Sequence, residues 1–201
     1  MIKSIVITGD IVNSRKSRPN IWLDKLKETL SEFGKENKVW EIYRGDSFQL
    51  VLRKKEGLKA ALMIKSGLKS IGMDARISIG LGNVEFSADK VTESNGSAFV
   101  NSGKRFETLK KETLGIQTDN QKFNKTFGVM LSLVDFIVSS WKPTTSEVIY
   151  VALKNPELNQ SELAKMLHKK SQGTISAAMK RAGFDEIQKV LELYETEIQK
   201  I

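Results

Sequence analysis

The sequence predicts an α+β protein in which a sheet-containing domain comes first and a purely helical unit follows. Short β-branched runs alternate with helical patterns up to about residue 81, whereas only helical patterns occur after residue 121. The predicted order of the first part is βαββαβ, in which the helices cover one face of an antiparallel sheet. We therefore divide the chain into a first domain at 1–120, a connector helix at 121–142 and a helical unit at 143–201.

The first strand and helix follow from the N-terminal hydrophobic pattern. Residues 2–8 form a short, β-branched apolar run that Gly9 ends, which predicts a buried strand. Asn20 then opens a stretch with apolar residues at helical spacing, and Gly34 is suited to end that helix.

A β-hairpin and a second helix complete the first domain. Residues 39–43 and 47–52 flank the tight turn Arg44-Gly45-Asp46, which predicts two antiparallel strands. Residues 56–70 have the spacing of an amphipathic helix, and residues 76–81 predict a fourth strand.

Composition excludes several kinds of site and partner. The chain has no cysteine and a single histidine, His168, which excludes thiolate metal sites and argues against a histidine zinc centre or a Ser-His-Asp triad. Its 32 basic and 24 acidic residues give a net charge of +8, which favours polyanionic partners. No apolar run approaches the ~20 residues of a membrane span, and no signal-peptide pattern opens the chain. We expect a cytoplasmic protein with no membrane partner.

Two Gly-Asp steps place carboxylates at the same end of the predicted sheet. Asp10 follows the first strand and Asp46 lies in the hairpin turn, and the split strand order makes these two ends neighbours. Such oxygen ligands suit Mg²⁺, which commonly binds together with nucleotide phosphates. Asn13, Ser14 and Arg15 follow in a loop that can bind phosphate through backbone N–H groups and a cation. The alternative is a pair of ordinary turn residues beside a solvated loop.

The pattern after Pro143 is typical of a helix-turn-helix. Asn159 and Glu162 have capping-box spacing at the start of the second helix of this unit, and a third helical segment follows Ser171. In such a module the last helix contacts base edges while nearby cations contact phosphates. We expect these DNA-binding roles for Gln172, Thr174, Ser176 and Lys180, and for Lys169, Lys170 and Arg181. The alternative is a small bundle that binds a protein or dimerises.

The connector helix has a wide apolar face. This face can pack on the first domain, on the helical unit or on a second copy of the chain, and we expect a homodimer.

Three motifs resemble those of the class III nucleotidyl cyclase and palm-domain superfamily. They are Gly9-Asp10-Ile11, Arg44-Gly45-Asp46-Ser47-Phe48 and the Asn-x-x-x-Arg step from Asn101 to Arg105. The resemblance implies a ferredoxin-like first domain in which Asp10, Asp46 and the Ile11 carbonyl hold Mg²⁺. It also implies that Asn101 and Arg105 are catalytic residues that face ribose and phosphate across a dimer interface.

Nearly the whole chain resembles the SatD family. That family combines a Gly-Asp-Ile-x-x-Ser start, an Arg-Gly-Asp-x-Phe-Gln hairpin, a Gly-x-Ala-Phe loop and a C-terminal helix-turn-helix. The corresponding residues here are 9–14, 44–49, 96–99 and 144–183. No established activity comes with this family.

The positions that select the base in cyclases are Ile42 and Ser94 here, and Ser47 stands where the diguanylate cyclases have a second hairpin acid. Catalysis is therefore left open. We expect a DNA-binding transcriptional regulator whose cyclase-like first domain binds a nucleotide with Mg²⁺. The alternatives are a nucleotidyl-transfer enzyme with an appended DNA-binding module and a degenerate cyclase-like scaffold that mediates assembly.

Overall fold

A five-stranded β-sheet forms the centre of the first part of the chain. The computed structural model describes residues 3–168 and 171–201. The strand order is β2-β3-β1-β4-β5, with β5 parallel to β4 and the other neighbouring pairs antiparallel. The strands are β1 (Lys3–Ile11), β2 (Trp40–Tyr43), β3 (Ser47–Arg53), β4 (Ala75–Asn83) and β5 (Leu114–Gln117).

Eight α-helices occur in the described residues, which makes this a mixed α+β protein, as the sequence predicts. They are α1 (Pro19–Ser31), α2 (Gly57–Ser70), α3 (Ser97–Thr108), α4 (Gln121–Ser139), α5 (Pro143–Lys154), α6 (Gln160–Met166), α7 (Gln172–Ala182) and α8 (Phe184–Ile198). Within this described part, no helix has both the length and the apolar character needed to cross a membrane.

The two faces of the sheet are covered by different helices. On one face Ile5 of β1 lies against Gly57 of α2, and both are buried. On the other face the hydroxyl of Thr8 lies 3.0 Å from the hydroxyl of Ser102 in α3. The expectation that the helices cover one face is therefore incomplete, because α3 covers the second face.

The backbones of α3 and β4 lie in direct contact. A Cβ atom on Gly80 would lie 2.2 Å from the Ser102 nitrogen, and one on Gly82 would lie 2.4 Å from the Ala98 nitrogen. No side chain fits at either glycine unless the helix moves. The two glycines in β4 therefore fix how closely α3 can approach the sheet.

β2, β3 and β4 agree with the predicted strands to within one or two residues at each end, and the larger differences concern β1 and β5. β1 extends to Ile11, so that Asp10 lies within the strand, and Gly9 does not end it. β5 was not predicted, because its four residues carry no clear alternation and pair only with β4 at the edge of the sheet.

The C-terminal helices pack on the first domain. Tyr194 of α8 is fully buried and donates from its hydroxyl to the carbonyl of Lys54 at 2.8 Å. Tyr150 of α5 lies 3.4 Å from the hydroxyl of Thr29 in α1. A single hydrophobic cluster thus extends across the predicted boundary at residue 142.

Candidate functional site

The two predicted metal-binding carboxylates lie side by side at one end of the sheet. Asp10 is opposite Ser47 in the pairing of β1 with β3, so the hairpin turn that carries Asp46 adjoins the end of β1. The backbone N–H of Ile11 donates to the carbonyl of Asp46 at 3.2 Å. Arg44 and Gly45 complete this turn with positive φ angles of 52° and 91°. The tight turn brings Asp46 back to the end of β1.

Asp10 is an unusual carboxylate because part of it is buried without a partner. Its Oδ1 atom is inaccessible and has no hydrogen bond. Burial raises the pKa of Asp10 above its ordinary value of 3.8, nearby Arg76 lowers it, and the charge of Asp46 raises it. Burial also raises the pKa of Tyr43, with a smaller increase from Asp10. A cation or a proton at Asp10 would therefore be stabilising.

Arg76 is a site residue that the sequence did not reveal. It lies opposite Asp10 in the pairing of β1 with β4, and its Nη1 is 3.8 Å from Asp10 Oδ2. Its guanidinium lies 4.9 Å from the centre of the Phe106 ring and donates to the carbonyl of Leu109 at 3.0 Å. In the sequence, the only indication of this role is that an arginine stands at the start of the fourth predicted strand. In an antiparallel pair that start lies beside the end of β1.

The loop after β1 contains one buried and two exposed residues among those predicted to bind phosphate. Ser14 is buried and donates from Oγ to Asp46 Oδ2 at 2.5 Å. Asn13 has a left-handed backbone with φ of 57°, and the side chains of Asn13 and Arg15 are exposed. Of the predicted phosphate-binding residues, Ser14 therefore contacts the carboxylate pair directly, while Asn13 and Arg15 lie exposed beside it.

The predicted catalytic residues Asn101 and Arg105 are engaged elsewhere within the chain. Asn101 is 8% exposed, and its Nδ2 donates to the Leu81 carbonyl at 2.8 Å and to Asp119 Oδ1 at 3.2 Å. Leu81 is five positions along β4 from Arg76, or about 16 Å in an extended strand. The structure does not bring Asn101 to the carboxylate pair of its own chain.

Arg105 lies over β5 and away from the carboxylates. Its guanidinium pairs with Glu112 and with Thr108, and it occupies the space that a side chain on Gly115 would need. Arg105 therefore has an ion-pair partner in the free protein.

The polar atoms at Asp10 and Asp46 fit one oxygen-preferring cation. The described residues contain no cluster of three or more His, Cys, Asp or Glu side chains that could hold a metal. The two carboxylates at this end of the sheet are Asp10 and Asp46, which are close enough for the charge of Asp46 to raise the pKa of Asp10. Mg²⁺ is commonly bound by one or two carboxylates, with water and phosphate oxygens as the other ligands. The buried, unpaired Oδ1 of Asp10 is suited to such a cation.

Ile42 and Ser94, to which the resemblance assigns the base-selecting positions, both have other contacts within the chain. Ile42 is half-buried and packs against the hydrophobic core. Ser94 lies in the loop before α3, where its hydroxyl accepts from the backbone N–H of Ala88 at 2.9 Å.

The C-terminal unit presents a polar surface on α7. The side chains of Gln172, Thr174, Lys180 and Arg181 are exposed, and Ser176 is half-buried. Gln172 also donates to Gln160 Oε1 of α6 at 2.5 Å. The other two predicted DNA-binding residues, Lys169 and Lys170, lie outside the described residues.

Helices α6 and α7 both begin with a side-chain N-cap. Asn159 accepts from the backbone N–H groups of Ser161 and Glu162, and Glu162 accepts from the N–H of Asn159. Ser171 accepts from the backbone N–H of Thr174 at the start of α7. The predicted capping box is present, and these caps fix where α6 and α7 begin.

No protein-family model matches the chain, and no curated protein is significantly similar to it. One solved structure is similar, described as "Structure of a bacterial light-regulated adenylyl cyclase". The identity is 13% and the TM-score is 0.37, and the match covers 57% of this chain. The matched part spans 42% of that structure. A match this loose supports no conclusion about activity.

Proposed function

We propose that the chain is a DNA-binding transcriptional regulator of the SatD family that binds a nucleotide together with Mg²⁺. The nucleotide site is at Asp10 and Asp46, in a ferredoxin-like, cyclase-like first domain. The observation that carries the proposal is the buried and unpaired Oδ1 of Asp10 beside a second carboxylate. Two carboxylates repel each other, and a divalent cation removes that repulsion.

The metal would be held by Asp10, Asp46 and the Ile11 carbonyl, and its chemistry would be to neutralise phosphate charge. Ser14 orients Asp46 through its hydroxyl. Asn13 and Arg15 are exposed on the adjoining loop and are the groups that would contact the phosphates.

Binding fits the geometry better than catalysis. Asn101 would have to leave the Leu81 carbonyl and Asp119, and Arg105 would have to leave Glu112, before either could act on a nucleotide. An enzyme that used them across a dimer interface would need both rearrangements. A sensor needs neither.

DNA binding is assigned to a helix-turn-helix formed by α6 and α7. The exposed residues Gln172, Thr174, Lys180 and Arg181 are suited to base edges and phosphates. Trp141 lies just before α5 and donates from its indole to the carbonyl of Ala182, the last residue of α7, at 3.0 Å. This contact joins the end of α7 to the connector, and in this proposal nucleotide binding changes DNA affinity.

A homodimer is part of the proposal. Val129, Leu133 and Phe136 of α4 are each more than half exposed and share one side of the helix. Analytical ultracentrifugation should show a dimer, and Phe136→Ser should shift it toward monomer.

The test is calorimetric titration of the full chain with ATP and with GTP, with and without Mg²⁺. Variants Asp10→Asn and Asp46→Asn should lose the Mg²⁺-dependent binding, and Asp119→Asn is the matched control for loss of one carboxylate elsewhere. Chromatography of the recovered nucleotide separates a sensor from an enzyme. Absence of Mg²⁺-dependent binding in the native chain would refute the proposed nucleotide site.

A further inference from the structure

A cavity lies beside the loop that follows β1. It has a volume of about 450 Å³ and lies between that loop, the end of α2 and the joint between α4 and α5. Its wall includes Asn13, Lys16, Ser17, Lys69, Asp74 and Trp141. Neither Asp10 nor Asp46 is among its described lining residues, so it is distinct from the site of the proposed function.

The loop after β1 adjoins both the cavity and the carboxylate pair. Ser14 faces Asp46 through its hydroxyl, whereas Asn13, Lys16 and Ser17 line the cavity. The backbone N–H of Val12 donates to the carbonyl of Asp74 at 2.9 Å, which fixes the loop to the cavity wall. One short loop therefore contributes to two sites.

The charge in and behind the cavity wall is positive. Asp74 is already neutralised, because its Oδ1 accepts from the fully buried Lys65 at 2.8 Å and its Oδ2 lies 3.1 Å from Lys69 Nζ. Asp135 lies 3.8 Å from the same Lys65. The charged residues in and behind the wall are three lysines and two aspartates, which give a net charge of +1 (3 − 2). They are Lys16, Lys65, Lys69, Asp74 and Asp135.

Polar donors stand beside these cations. Asn13 and Ser17, which carry an amide and a hydroxyl group, line the same cavity, which is large enough for a small ligand. Ammonium, amide and hydroxyl groups together are suited to phosphate oxygens. Trp141 and Met73 also line the cavity and are apolar residues suited to the rest of such a ligand.

We propose that this cavity binds a small phosphate-bearing molecule through Lys16 and Lys69. The ligand would contact the loop after β1 and the α4–α5 joint at the same time. Because Trp141 also bonds to the carbonyl of Ala182, the occupied cavity adjoins the end of α7. The cavity shares Asn13 with the phosphate contacts of the proposed function, but Lys16 and Lys69 belong only to the cavity, and Asp10 and Asp46 belong only to the nucleotide site.

The experiment is calorimetric titration of the full chain with inorganic pyrophosphate in the absence of Mg²⁺, at constant ionic strength. Charge-assisted hydrogen bonds contribute about 1.5–3 kcal/mol, so Lys16→Met and Lys69→Met should each weaken binding at least ~10-fold. Lys142→Met is the matched control, because Lys142 is exposed between Trp141 and Pro143 but does not line the cavity. It should change the affinity less than about twofold, as expected for an exposed charge.

Further variants keep the result interpretable. Lys16 is exposed, so its replacement tests the cavity without risk to the core, and circular dichroism checks that Lys69→Met is folded. Asp46→Asn should leave pyrophosphate binding unchanged, even if it abolishes Mg²⁺–nucleotide binding. The proposal is overturned if the native chain does not bind pyrophosphate. It is equally overturned if Lys142→Met weakens binding as much as Lys16→Met, or if Asp46→Asn removes it.

Discussion

Asp10 and Arg76 face each other across β1 and β4, with Asp10 Oδ2 3.8 Å from Arg76 Nη1. Each of them has an inaccessible polar atom without a hydrogen-bond partner, namely Oδ1 of Asp10 and Nε of Arg76. The guanidinium thus offsets only part of the cost of burying the carboxylate. Such unsatisfied buried groups are rare in proteins, and each calls for an explanation such as a catalytic role, strain or a bound water or ion.

Replacement of Asp10 by Asn should stabilise the free protein near neutral pH. Burial raises the pKa of Asp10 in the folded protein above 3.8, so ionisation of Asp10 opposes folding. The gain should be absent below 3.8, where Asp10 is protonated in both states, and should appear as the pH rises through the folded-state pKa. Urea denaturation of the native chain and Asp10→Asn over this range measures it. The control is Asp89→Asn, whose side chain is 98% exposed and which should change little.

Replacement of Lys65 by Met should destabilise the fold strongly. Lys65 is fully buried and donates to Asp74, to the Ala75 carbonyl and to Thr113. Removal of one partner from a buried ion pair costs about 3–5 kcal/mol, because the remaining charge is uncompensated. The free energy of unfolding should fall by that order in urea denaturation.

The control for this variant is Lys200→Met, which removes an exposed pair with Glu197. Such surface pairs contribute about 0–1 kcal/mol. Equal effects of the two replacements would show that the buried network does not stabilise the protein. Addition of Asp135→Asn to Lys65→Met should recover part of the loss, since one uncompensated carboxylate is then removed.

Replacement of Gly80 by Ala should disrupt the contact between β4 and α3. The new Cβ would lie 2.2 Å from the Ser102 nitrogen and 2.4 Å from the Ala98 carbonyl oxygen, both backbone atoms. Overpacking of this kind typically costs about 1–3 kcal/mol. Thermal and urea denaturation should both show the loss.

Gly103 on α3 provides a matched comparison, because a Cβ there meets no atom within 4 Å. Alanine in a helix interior is favoured over glycine by roughly 0.5–1 kcal/mol, so Gly103→Ala should stabilise the protein. Equal stability of the Gly80→Ala and Gly103→Ala variants would contradict the close contact between the backbones of α3 and β4.

Replacement of Lys180 by Met should weaken DNA binding through the loss of a phosphate contact. Lys180 is exposed on the last turn of α7. The slope of log K against log salt for duplex DNA should become less steep by about 0.9 per lost contact. Fluorescence anisotropy with a labelled duplex at several salt concentrations measures this slope. Lys189→Met on α8 removes an exposed charge of the same sign outside the proposed contact surface and should leave the slope unchanged.

The sequence by itself determined the elements whose signals are local. The capping box of Asn159 and Glu162, the tight turn at Gly45 and the apolar spacing in α4 each depend on residues a few positions apart. The predicted βαββαβ order, assembled from these local elements, also placed Asp10 and Asp46 at one end of a sheet. Local hydrogen bonds and a repeating apolar face encode this information within single segments.

Only the tertiary structure shows which segment packs against each apolar or polar face. Arg76 lies opposite Asp10 because of strand pairing, and α3 reaches the second face of the sheet because Gly80 and Gly82 allow it. The short edge strand β5, the burial of Lys65 and the return of Tyr194 to Lys54 are likewise contacts between distant segments. Periodicity shows that a face is buried but not which segment covers it, because long-range packing is determined by the shapes of all the elements together.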